Sequence, residues 1–305
     1  MTATLLSETN LPRLPSASGV EIVGPTAYIV SDDAPFLYML DAATLAAVGE
    51  VTLFAGAEFE TGRIPKARKP DLESMTAIVS PTGAAGLLLC GSGALPARET
   101  GYFVGLPAPT ASPEGATPRF VQRLDLGPLY AQLRKHLPKG AVLNLEAAAA
   151  TATELLLLHR SVSGPALVFE LPLAAVLTHL FEPRTAAPAP LRVHSFTLPR
   201  LADYSAGFSG ATLLAGQLLV TASVEATADA VADGATLGSF VGRLDLLTQT
   251  ATFARLTWAD GRAYLGKVEG LAVRRTLGPT QWELLLVTDD DQGGSTALVA
   301  ELKLA

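Results

Sequence analysis

Short apolar runs broken by turn residues recur along the whole chain. Residues 26–30, 36–40 and 48–54 are such runs, separated by Gly24-Pro25, Asp32-Asp33-Ala34-Pro35 and Asp41. Segments of this length, bounded by Gly, Pro, Asp and Ser, read as strands. With the segment around Glu21 they make one unit of four strands. A second unit spans 73–79, 86–90, 101–106 and 119–126, and a third spans 145–150, 154–159, 166–171 and 191–198. A fourth covers 210–214, 217–222, 238–244 and 252–257. The last has only 269–274, 282–288 and 297–302, one strand short. Alternation within the runs is imperfect, as expected where both faces of a sheet are covered. Two short helices interrupt the series, at 128–137 with Pro128 in its first turn, and at 173–180.

Each unit opens on a related motif. Lys267-Val268-Glu269-Gly270-Leu271-Ala272 is matched by Asp71-Leu72-Glu73-Ser74-Met75-Thr76 and by Asn144-Leu145-Glu146-Ala147-Ala148-Ala149. Gly207-Phe208-Ser209-Gly210-Ala211-Thr212 has Ser in place of Glu, and Val20-Glu21-Ile22-Val23 aligns less closely. The anchors Glu21, Glu73, Glu146, Ser209 and Glu269 lie roughly 50 to 75 residues apart, a period of propellers and other arrays. The sequence therefore predicts an all-β fold: a five-bladed β-propeller of four-stranded blades, as a single domain over residues 1–305. The N-terminal run 3–6 would supply the missing strand and close the ring, removing exposed sheet edges. A six-bladed propeller with one degenerate repeat, or a β-sandwich, are the alternatives.

Composition narrows the function. A formal net charge of −7 gives no reason to expect nucleic acid as a partner. Cys90 is the only cysteine, which excludes a disulfide framework and a thiolate-rich zinc site. Residues 1–19 lack the basic and apolar regions of a signal peptide. Apolar runs such as 155–158 fall far short of the ~20 residues that span a bilayer. A cytoplasmic protein with no membrane association is the expectation.

In a propeller the first strand of each blade lines the central channel, so the five anchors would converge on its axis. Carboxylates ~6 Å apart repel by roughly 2–3 kcal/mol at an effective dielectric of ~20. Protonation, pairing with Lys or Arg, or a bound cation can relieve this. An all-oxygen set suits Ca2+ better than Zn2+. The alternative is that the glutamates accept backbone hydrogen bonds and merely tie the ring together.

The second strands end in Ser31-Asp32-Asp33, Gly91-Ser92-Gly93, His159-Arg160-Ser161, Ser223-Val224-Glu225 and Thr288-Asp289-Asp290-Asp291. These would line one mouth of the channel, where propeller ligands commonly bind. The segment 62–70 adds Arg63, Lys66, Arg68 and Lys69 just before Glu73. Such a mouth would suit a small anionic, phosphorylated molecule. Asp33, Glu225 or Asp289 would serve as base, and Arg160 would stabilise developing charge. Other motifs fail. Gly207-Phe208-Ser209-Gly210-Ala211 lacks the final Gly and the α/β context of a nucleophile elbow. Asp289-Asp290-Asp291-Gln292-Gly293-Gly294 lacks the spacing of an EF-hand, and the four histidines show no metal-ligand spacing.

These motifs resemble an uncharacterised bacterial family of propellers. The resemblance rests on Gly62-Arg63-Ile64-Pro65-Lys66 with Lys69-Pro70-Asp71, on Gly207-Phe208-Ser209-Gly210, and on Lys267-Val268-Glu269-Gly270 with Thr288-Asp289-Asp290-Asp291. It spans nearly the whole chain and implies no activity. More distantly, the anchors resemble those of calcium-activated apyrases, five-bladed propellers with a central calcium, and of phytase-like and esterase-like propellers. Glu73, Glu146, Ser209 and Glu269 match the apyrase ligands, whereas Glu21 departs from that family's Ser. The nucleotidase residues survive only as Asp32-Asp33, Arg160 and Glu225. The resemblance implies a metal site more strongly than a phosphohydrolase. A non-catalytic ligand- or protein-binding scaffold is the rival expectation.

Overall fold

The computed structural model describes residues 1–55, 63–65, 68–108, 117–161, 164–182, 184–227 and 234–304. Three successive antiparallel sheets carry the first half of the chain. The first is β2 (Ala17–Val23), β3 (Thr26–Ser31), β4 (Phe36–Asp41) and β5 (Ala47–Thr52). The second is β6 (Leu72–Val79), β7 (Ala85–Gly91), β8 (Thr100–Gly105) and β9 (Phe120–Asp125). The third is β10 (Leu145–Ala150), β11 (Glu154–His159), β12 (Ala166–Pro172) and β13 (Arg192–Phe196). Two short strands, β14 (Arg200–Leu201) and β15 (Tyr204–Ser205), form a hairpin after it.

The second half departs from the expected separate units, because it forms one mixed eight-stranded sheet. Here β16 (Gly207–Leu214), β17 (Gln217–Glu225), β18 (Thr236–Asp245) and β19 (Thr250–Trp258) run on one side. On the other side are β20 (Lys267–Gly278), β21 (Gln281–Asp289) and β22 (Ser295–Lys303). Between them lies β1 (Thr2–Asn10), longer than the predicted run 3–6. It pairs antiparallel with β22 from Thr2↔Lys303 to Asn10↔Thr296, and parallel with β19 from Ala3↔Leu256 to Leu5↔Trp258. Its backbone groups thus satisfy two strand edges at once.

Apolar layers fill the gaps between successive sheets. Phe103, Leu157 and Phe169 form one with helix α1 (Gly127–Arg134), and helix α2 (Leu173–Phe181) adds Val176 and Leu177 to it. Leu158, Val168, Phe208 and Val220 form the next. Because both faces pack in this way, β3 and β8 are buried at every position, which erased their alternation in the sequence.

The leading strands are neighbours in a circle: β2 beside β6, β6 beside β10, β10 beside β16, β16 beside β20, and β20 beside β2. Each carries a register shift at the same place, between Ala17 and Gly19, Leu72 and Ser74, Leu145 and Ala147, Phe208 and Gly210, and Val268 and Gly270. The residue left out of the ladder is Ser18, Glu73, Glu146, Ser209 or Glu269. Such a bulge re-aims the skipped side chain. The residue after it is always small. A Cβ on Gly270 would lie 3.0 Å from the Gly19 Cα, so only glycine lets these two backbones approach so closely. Among the described residues no helix is long and apolar enough to cross a membrane.

Candidate functional site

The bulges bring Ser18, Glu73, Glu146 and Glu269 to the lining of one narrow central cavity. Glu21 is not at the equivalent position. It lies three residues further along β2 than Ser18, paired with Tyr28. Burial pushes its carboxyl up to about 7, against backbone N–H groups of Ala77 and Ile22 that pull it down. Ser209 is fully buried. Its hydroxyl lies 3.2 Å from Thr221 Oγ1 and 3.4 Å from Ser223 Oγ, while Ser223 Oγ donates to the Val268 carbonyl at 2.7 Å.

Beside this cavity the charges fall into two groups. In the first, the Lys69 ammonium reaches Asp32, Asp33 Oδ1 at 3.2 Å and Asp71 Oδ1 at 3.2 Å. Burial works against the charge on Lys69, but Asp32, Asp71, Glu73 and Asp33 outweigh it and raise its pKa. Asp33 also accepts from Arg63 and, at 3.0 Å, from Ser16 Oγ. Burial opposes its charge, yet Lys69 and Arg63 hold its carboxyl below the ordinary range. Asp71 accepts from Arg98 Nη1 at 2.6 Å and from Ser92 Oγ at 2.5 Å. It does so from the left-handed region, at φ 53°, which strains a residue other than glycine and aims its carboxylate at these partners. One oxygen each of Asp32, Asp71 and Glu73 lies within 4.8 Å of the others.

In the second group, Arg160 pairs with Glu225 and approaches Glu146 Oε2 at 3.7 Å and Glu269 Oε1 at 3.9 Å. Lys267 lies 3.0 Å from Glu269 Oε1, 3.0 Å from Asp291 Oδ1 and 3.6 Å from Glu225 Oε1. Asn144 Nδ2 donates to Glu146 Oε1 at 2.6 Å. Gly207 leaves room for the Arg160 stem, since a Cβ there would meet Arg160 Cγ at 2.5 Å. Burial pushes Glu269 up to about 7 despite Lys267 and Arg160, and raises Glu146 against the same two cations. Glu73 is raised well above the usual range by burial and then by Asp71 and Glu146, so it senses both groups.

The four residues expected to carry catalysis are placed differently from one another. Asp33 and Glu225 are held in ion pairs, and Arg160 is spent on carboxylates. Asp289 is half-buried, and its Oδ1 accepts the Asp291 N–H at 2.9 Å. Desolvation pushes it up to about 7, opposed by Lys267. Lys66 lies outside the described residues, as do parts of 62–70 and 107–118.

Among the described residues, acidic side chains outnumber basic ones at this site. Asp32, Asp33, Asp71, Glu73, Glu146, Glu225, Glu269, Asp289 and Asp291 face Arg63, Lys69, Arg98, Arg160 and Lys267. Three buried carboxylate oxygens, Asp32 Oδ1, Glu225 Oε1 and Glu269 Oε2, have no hydrogen-bond partner among the described residues, although Lys267 already lies 3.6 Å from Glu225 Oε1. Such groups are costly to leave unmet and mark where a further cation or donor fits.

Sequence reasoning missed Ser18, and undervalued Asp71 and Lys69. The pair Ser18-Gly19 repeats Ser209-Gly210 and Glu269-Gly270, and that small residue was the available signal.

Among solved structures the chain is similar to the tail fiber of a Staphylococcus aureus phage, with a TM-score of 0.50 and 11% identity. That match covers 100% of this chain and 53% of the tail fiber, so the chain spans about half its length. A Bacillus subtilis arabinanase matches with a TM-score of 0.41 and 11% identity, over 95% of this chain and 94% of the enzyme. The β-propeller domain of a Myceliophteria thermophila protein matches with a TM-score of 0.42 and 11% identity, over 97% and 99% of the two chains. Likeness at such identity concerns the fold alone. No curated protein sequence matches. Over residues 13–302, nearly its whole length, the chain matches the model of a family of unknown function (DUF6929), and it belongs to that family.

Proposed function

We propose that the chain is a five-bladed β-propeller, closed by β1, that binds a divalent cation on its axis and through it a small anionic ligand. The circle of leading strands and the double pairing of β1 support five blades. The observation that carries the cation is the unpartnered, buried Glu269 Oε2 beside Glu146, in a ring where carboxylates exceed cations. Ser18, Glu73, Glu146, Ser209 and Glu269 offer only oxygen, which suits Ca2+. Bound, the ion would supply the positive charge that a phosphorylated ligand needs. Should the ligand be hydrolysed, Asp289 is the base best matched to neutral pH, because it forms no ion pair among the described residues and burial pushes its carboxyl up to about 7.

Thermal unfolding in chelator, and then with Ca2+, Mg2+ or Mn2+ restored, tests the cation. Saturation at a hundredfold over Kd adds about 2.7 kcal/mol of stability. A calcium-selective rise that Glu269→Gln removes supports the reading. An unchanged transition in metal-free protein overturns it and favours a scaffold propeller. That second reading draws on the same ion pairs, since Arg160, Lys267 and Lys69 already neutralise part of the ring.

A further inference from the structure

The end of the channel opposite the bulges differs in character from the charged mouth. Strands alternate in direction within each sheet, so the β6–β7, β10–β11 and β18–β19 turns and helix α2 after β12 all emerge at this end. Two depressions open there, and Thr151 in the β10–β11 turn lines both of them. One, of about 600 Å3, is a groove between the end of β6 and α2. Ile78, Leu106, Leu173 and Leu177 are buried in its wall, whereas Val79 is 57% exposed. None of the described residues lining it is charged.

The other depression, of about 490 Å3, is bounded by Leu246 and Leu247 of the β18–β19 turn. Leu247 is 90% exposed, and the turn holds it in place, because Asp245 Oδ1 accepts from the Leu247 and Thr248 N–H groups. An isolated exposed leucine needs no explanation, but a fixed one beside an uncharged groove is a knob beside a hole. In a two-fold contact the same patch meets itself, so knob and hole on one face serve each other. The charges obey the same symmetry. Glu154, in the turn with Thr151, and Arg192, whose side chain is 65% exposed, both line the second depression. An axis near Thr151 brings Glu154 of each copy toward Arg192 of the other. Contact through this end also keeps the two carboxylate-rich mouths far apart, which matters for a chain of net charge −7.

We propose that two copies of this chain pair about a two-fold axis near Thr151, with Leu247 of each seated in the groove between β6 and α2 of the other. The paired ends bury Val79 and Leu247 and leave both mouths open. The pairing needs no cation on the propeller axis, so it stands or falls separately from that reading.

Sedimentation of the whole chain in chelator tests the proposal. A dimer is expected at about 100 μM protein, dissociating on dilution. Leu247→Glu alters an exposed turn, and Ala174→Arg places a cation on the exposed side of α2 at the groove. Each substitution alone should weaken the dimer about tenfold or more. A chain carrying both brings a new carboxylate to a new guanidinium across the contact, and should recover about fivefold or more of that loss. A monomer at about 100 μM overturns the inference and leaves the groove to another occupant. A dimer that neither single substitution weakens also overturns it, as does the absence of recovery in the double variant.

Discussion

Arg160 passes against Gly207 on its way to Glu225, joining the end of β11 to the end of β17 across the start of β16. The absence of a side chain at 207 is what permits one guanidinium to serve carboxylates from three sheet segments. Gly207→Ala is expected to displace Arg160 and leave Glu225 and Glu269 with Lys267 as their one remaining cationic partner among the described residues. Breaking a buried pair by removing one member costs about 3–5 kcal/mol. Urea unfolding should show a loss approaching that of Arg160→Met. A loss under ~0.5 kcal/mol would mean that Arg160 is not held there.

Lys69 stands among Asp32, Asp33 and Asp71, and its side chain is only 5% exposed. Lys69→Met keeps most of the stem and removes the charge. We expect a destabilisation of about 3–5 kcal/mol at pH 7.5, partly recovered toward pH 5 as the stranded carboxylates take up protons. Chemical unfolding at the two pH values reads both effects.

Asp32, Glu269 and Asp289 each have a folded-state pKa raised to about 7, chiefly by burial. A carboxyl raised on folding binds its proton more tightly in the native state. It stabilises fully below its unfolded pKa, and that contribution is lost as pH rises through about 7. Stability in chelator should therefore fall between about pH 4.5 and 7.5. Asp33, lowered on folding, acts in the opposite sense only at more acidic pH. Added Ca2+ should flatten the fall, and Glu269→Gln should reduce it in chelator. A profile rising across this window would contradict the placement of these carboxylates.

Glu21 and Ser18 share β2 but differ in position by three residues. Calorimetric titration with Ca2+ should show Glu21→Gln within about twofold of the parent and Glu269→Gln at least tenfold weaker. Equal losses from both would put the ion deeper in the channel than the bulges.

Leu5 is 1% exposed where β1 lies between β19 and β22. Leu5→Ala should cost about 2–5 kcal/mol, as for other buried leucines. An effect below ~1 kcal/mol in denaturant unfolding would show that β1 can be released without opening the sheet.

Much was readable along the chain itself. Turn residues at short intervals marked the strands, and the recurrence of Glu73, Glu146, Ser209 and Glu269 marked the start of each unit, because local backbone chemistry is written in adjacent residues. The first anchor was misaligned by three positions, since a carboxylate at Glu21 outweighed the small-residue signal of Ser18-Gly19. The missing strand of the last unit pointed to the N-terminal run, but only the tertiary structure decided that β1 also runs parallel to β19, because strand partners far apart in sequence leave no local trace. It also decided which charges meet. Lys69 sits among Asp32, Asp33 and Asp71, and Arg160 reaches Glu225 across 65 residues, through bulges and a glycine whose effect is to aim side chains in space. Composition sets how many charges the chain holds; burial and distance set which of them stay ionised.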